Sequence, residues 1–124
     1  MPTAHRIVGF TIVGGFVALF LWGGVAFLVR RHPTRWFWRL LAVLQVALIV
    51  QLGAGLTLLA LGYPLPGLLH LAYGAVFPAV VLAVAHVLGR SLEDPEEAWK
   101  VFTVGAFFIA GLTLRALATG LGLP

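Results

Sequence analysis

Long apolar runs, broken by three short polar or turn-forming stretches, dominate the chain. Ile7 to Val29 is 23 residues without a charge and stops at Arg30-Arg31. A second run covers Leu40 to about Gly62, interrupted by Gln45, Gln51 and Thr57. The third lies between about Leu68 and Leu88 and carries His70, Pro78 and His86; Trp99 opens a fourth that continues to Leu123 with Arg115 as its one charge. Each reaches the ~20 residues that a helix needs to cross the hydrocarbon of a bilayer. None shows the alternating, roughly ten-residue pattern of a membrane barrel. The pattern therefore predicts an all-α integral membrane four-helix bundle. It forms a single transmembrane domain over 1–124, with helices at about 5–29, 40–62, 67–89 and 97–122. The first run is too long for the apolar core of a signal peptide and is followed by a basic pair, so it reads as a retained helix.

The connections differ in chemistry. Segment 30–39, RRHPTRWFWR, reads as a basic loop with the interfacial aromatics Trp36 and Trp38. GYPLPG, at 62–67, is a tight uncharged turn. GRSLEDPEEAWK, at 89–100, holds every acidic residue of the chain. The two longer connections together carry six basic residues (Arg30, Arg31, Arg35, Arg39, Arg90, Lys100), against Arg6 and Arg115 on the opposite face. The positive-inside rule then places both longer loops in the cytoplasm and both termini outside. The expected location is the cell (inner or plasma) membrane, as a multi-pass protein.

Composition sharpens this picture. With 61% hydrophobic and 10% charged residues, the chain lies far from the roughly 45–50% apolar and 25% charged of soluble domains. The net charge of +4 sits in loops beside apolar runs, so nucleic acid is not an expected partner and the lipid bilayer is. The absence of cysteine removes disulfides, thiolate metal sites and covalent haem attachment. No Asp or Glu falls inside a span, which argues against a small proton-coupled carrier. No phosphate-binding loop or catalytic triad pattern is present.

Polar groups inside a bilayer must find a partner in protein, cofactor or water. Helices one and three both run inward, so His5 and His70 both stand near the outer side. Two imidazoles at one depth on two helices suit bis-histidine ligation of a haem. His5 equally fits a solvated helix end, and His70 an interhelical hydrogen bond. Arg6 and Arg115, on the same side, suit the propionates of such a cofactor. A second haem further in is not expected. Sixteen residues separate His70 from His86, which on a regular helix turns the second imidazole about 160° away. Gln51 is expected near the bilayer centre, bonding a neighbouring helix, and Gln45 behaves similarly. Close backbone approach is expected at Gly14, Gly15, Gly23, Gly24, Gly53, Gly55, Gly105 and Gly111.

Taken in order, these landmarks resemble a half-module of haem A synthase, the membrane enzyme that oxidises haem O. The resemblance rests on His5-Arg6-Ile7-Val8-Gly9 opening helix one, Gln51-Leu52-Gly53-Ala54-Gly55 on helix two, and His70 at the start of helix three. Helix four adds Gly111 to Arg115 followed by Thr119-Gly120. The helix order is circularly shifted relative to that family. The resemblance implies one b-type haem near the outer face, with His5 and His70 as axial ligands and Arg6 and Arg115 as propionate contacts. It implies electron transfer or haem handling beside a respiratory oxidase. Pro2 stands where the family has a catalytic glutamate, and the cysteine pair is missing, so oxidation of haem O is left without its groups. A second copy of the chain or a larger respiratory complex is the partner implied. The alternative is a cofactor-free accessory or assembly subunit that docks through its glycine seams and glutamines.

Overall fold

The computed structural model describes residues 3–65 and 67–122, so Pro2, where the family glutamate was sought, lies outside the described residues. Four helices are long and apolar enough to cross a membrane: α1 (Thr3–Leu28), α2 (Arg35–Ala60), α3 (Leu68–Ser91) and α4 (Ala98–Gly120), the last preceded by a 3₁₀ turn, Pro95–Glu97. An even number of crossings returns both termini to one end of the bundle. The opposite end carries the basic connections.

Packing follows from which helix buries most. α4 contributes buried residues on successive turns, among them Phe102, Ala106, Ile109 and Thr113. α1 presents Ile12, Phe16 and Leu19 to it, each at most 2% exposed. α2 then packs against α1, and α3 against α4. The helices therefore stand in the order α2–α1–α4–α3. Among the described residues the backbones across the remaining seam, between α2 and α3, come close only where α2 meets the segment Ala72–Val76. Most other large side chains point outward into what hydropathy identifies as lipid, for example Val43, Ile49, Val80 and Val84.

Glycine sets the α1–α4 approach at one point. A methyl group at Gly23 would overlap the Thr103 side chain. Thr103 is short, β-branched and tied to the Trp99 carbonyl by a 2.7 Å hydrogen bond, so it has little freedom to yield. Gly23→Ala is expected to destabilise the bundle by about 1–3 kcal/mol through overpacking, measured as a lower midpoint in detergent unfolding. Gly15→Ala is expected to cost less, because the overlapping atoms belong to the flexible end of Leu44.

Two features depart from the sequence pattern. α2 starts at Arg35, not near residue 40, so Arg35, Trp36, Phe37, Trp38 and Arg39 belong to its first turns. Charge marks the edge of the hydrocarbon, not the end of the helix. Phe37 explains the extension: it is fully buried, edge-on to Trp22 and Trp38, while the Arg39 guanidinium lies 4.6 Å from the Trp36 ring centre. α3 is interrupted by a π-helical turn over Ala72–Val76, where Phe77 N–H donates to the Ala72 carbonyl. Pro78 supplies the cause. It has no N–H to give to Gly74, and its ring would clash with that carbonyl in a regular α-helix. The wider turn relieves both.

Candidate cofactor site

The π turn rewrites the phase of α3. One extra residue in the turn rotates the downstream helix by about 100°, so His70 and His86 stand roughly 60° apart instead of 160°. His86 consequently addresses α2, while His70 is bonded to α4. His86 Nε2 lies 2.8 Å from Gln45 Oε1, a polar bridge across the open seam towards the basic end. His70 faces the same seam near the terminal end.

There the seam widens into a cavity of about 320 Å³ that both His5 and His70 line, at the lower end of the ~300–1,000 Å³ typical of small-molecule sites. The two ring centres are 6.2 Å apart and the planes cross at 64°. The rest of the wall is largely apolar, with Gly9, Gly55 and Gly74 contributing bare backbone. Gly55 lies against the His5 ring: a methyl there would meet His5 Cε1 at 3.6 Å, an ordinary van der Waals contact. Leu52, Leu56, Leu59 and Tyr63 line the cavity and are also exposed, so its mouth opens sideways, towards lipid.

Each histidine is held differently. His70 Nδ1 is 2.8 Å from the Ala116 carbonyl and 3.2 Å from Thr119 Oγ1. A carbonyl only accepts, so Nδ1 carries the proton and donates to it. In the neutral ring the lone pair is then on Nε2. Thr119 Oγ1 itself donates to the Ala116 carbonyl at 2.9 Å, which fixes that acceptor. His5 sits in the first turn of α1, where a helix end has little to restrain it. Gln51 supplies the restraint: its Nε2 donates to the His5 carbonyl at 2.6 Å. Gln51 thus bonds a neighbouring helix, as its polar side chain within an apolar run led one to expect, and its partner is the backbone of His5. His5 Nδ1 and Gln51 Oε1 are buried and have no hydrogen-bond partner among the described residues.

The chain matches no known protein family, characterised protein or solved structure. The site must therefore be read from its own geometry.

Of the residues singled out in the sequence, His5, Gln51, Gly55 and His70 come together. Arg6 and Arg115 do not line the cavity; both are exposed, although each directly neighbours a residue that does, His5 and Ala116. His32 belongs to the opposite end, where its Nδ1 accepts the Trp99 indole N–H at 2.8 Å. Sequence reasoning missed Thr119 and the Ala116 carbonyl as partners of His70. In the sequence Thr119 stands out only as part of the Thr119-Gly120 motif, and a backbone acceptor leaves no trace in side-chain identity.

Proposed function

We propose that the protein is a membrane-embedded b-type haem protein with His5 and His70 as the axial ligands. The observation that carries this reading is the convergence of these two imidazoles in one lipid-facing cavity. The ring centres are 6.2 Å apart, near enough that His5 and His70 would be the residues to hold one metal centre. The donor set favours a macrocycle over a bare ion. No group of three His, Asp or Glu side chains converges among the described residues, whereas a protein-bound zinc ion takes three or four such ligands. The hydrogen bond to Ala116 is what a metal-ligating histidine needs on its other nitrogen. The unpartnered His5 Nδ1 and Gln51 Oε1 give the cavity polar groups that an occupant could engage.

When bound, a haem would supply one-electron redox chemistry. The chain's own residues would fix the ligand tautomer, shield the ring with leucines and admit it sideways from the bilayer. Arg6 and Arg115, exposed beside the cavity, are the groups for its propionates. The positive-inside rule puts this end of the bundle outside the cytoplasm, and the role is electron transfer or haem handling beside a respiratory oxidase. The test is the absorption spectrum of detergent-purified protein from haem-replete cells. A stoichiometric low-spin b-type spectrum is expected; colourless protein overturns the reading.

A second reading, a cofactor-free accessory subunit, is favoured by Gly14 and Gly111. Both are exposed and have nothing within 4 Å of an added methyl, so a partner helix could approach the backbone closely there. Colourless protein that co-purifies with one defined membrane complex would support it.

A further inference from the structure

The basic end of the bundle holds a second cavity, of about 340 Å³, where the end of α1 meets the start of α4. Arg30, Arg31 and Lys100 line it, with Glu97 as the one carboxylate, and Phe27 and Trp99 supply apolar surface. Glu97 and Lys100 pair at 2.7 Å. The Lys100 ammonium holds the Glu97 carboxyl below the usual carboxylate range, so Glu97 is ionised at neutral pH and neutralises one cation. His32 accepts the Trp99 indole N–H on Nδ1 and sets its Nε2 4.0 Å from Glu97. Two positive charges remain unbalanced in a pocket at the edge of the hydrocarbon.

The backbone places one of them in an unusual conformation. Arg31 N–H bonds the Ala26 carbonyl at 3.0 Å and Arg30 N–H the Phe27 carbonyl at 3.2 Å, the paired bonds of a Schellman helix stop. The residue that turns left-handed in such a stop is ordinarily glycine, but here it is Arg30, at φ 57°. A side chain that disfavours the conformation thus stands at a position that lines the pocket.

An apolar track leads away from the cations into the membrane. Lys100 Nζ stands 5.8 Å from the Phe27 ring centre. Two helical turns deeper, Phe20 of α1 and Phe107 of α4 meet with ring centres 5.2 Å apart. Phe27 and Phe20, like Lys100 and Phe107, are seven residues apart and so share a helix face. Phe27 and Phe107 are both more than half exposed.

We propose that this pocket binds the phosphate of an anionic phospholipid, whose acyl chain lies along Phe27, Phe20 and Phe107. A phosphate accepts bidentate hydrogen bonds from arginine, and basic pockets between membrane helices at the cytoplasmic side suit anionic headgroups. The aromatic track distinguishes a lipid from free phosphate, which has no apolar part to bury.

The experiment is native mass spectrometry of the full chain, scoring phosphatidylglycerol retained against phosphatidylcholine. Arg30→Gly removes a cation while installing the residue that the helix stop favours, so folding is preserved. It is expected to weaken phosphatidylglycerol retention roughly fivefold, and Arg30→Gly with Arg31→Gln about 25-fold. Arg35→Gln with Arg39→Gln, which alters charge outside the pocket, should leave retention unchanged. Undiminished retention in the pocket variants overturns the proposal, as does an equal loss in the control, which would mark a diffuse charge effect. Competition by inorganic phosphate at concentrations comparable to the lipid also overturns it, because the site would then take the free anion.

Discussion

His70→Ala is expected to yield a folded, colourless protein. If His70 is an axial ligand, its removal should weaken haem retention by roughly 100-fold or more, since even second-shell partners of metal ligands are worth 10–100-fold. The fold should survive, because His70 is only part-buried and its neighbours Leu68, Leu69 and Leu71 are exposed. The substitution leaves the Ala116 carbonyl with the Thr119 hydroxyl as a remaining donor, so the buried polar cost stays small. Circular dichroism in detergent should match the parent while the visible spectrum disappears. A variant that keeps its low-spin bands shows that His70 is not a ligand. His5→Ala should give the same spectral result. His86→Ala should not, because its ring is engaged with Gln45 towards the other end of the seam and does not line the cavity.

The contrast between His70 and His86 also shows what the sequence made legible and what it hid. Four spans could be read directly, because a bilayer demands uninterrupted apolar helices and little else satisfies that demand. The grouping of His5 and His70 at one end followed from alternating helix direction alone, whereas the bond from Gln51 to the His5 backbone did not. What failed was the phase between the histidines of α3. Periodicity assumes a regular helix, and one π turn displaces every later residue by about 100°. The signal was present in Pro78, which lies within an apolar run and in three dimensions changes which helix His86 faces. The start of α2 was hidden for a related reason. Hydropathy locates where lipid ends, whereas Phe37 and its aromatic neighbours determine where the helix begins.

Gln51→Leu is the more discriminating substitution, because Gln51 would not itself touch the metal in this reading. Its amide donates to the His5 carbonyl and thereby ties the first turn of α1 to α2. Leucine has similar bulk and no donor. The first turn of α1 should then fray, and His5 should lose its fixed position in the cavity while His70, held from α4, keeps its own. The expected outcome is haem retention weakened by about 10–100-fold, with residual pigment shifted from a six-coordinate low-spin to a partly five-coordinate high-spin spectrum. Gln51→Glu, which keeps an acceptor but loses the N–H, should behave like leucine, whereas Gln51→Asn should restore part of the low-spin signal if its shorter amide still reaches. A purely structural role would predict something else: a lowered unfolding midpoint with spin state unchanged in whatever protein remains folded. Spin state therefore separates positioning of a ligand from stabilisation of a helix end. An unaltered low-spin spectrum in Gln51→Leu means that His5 is placed by something other than this bond.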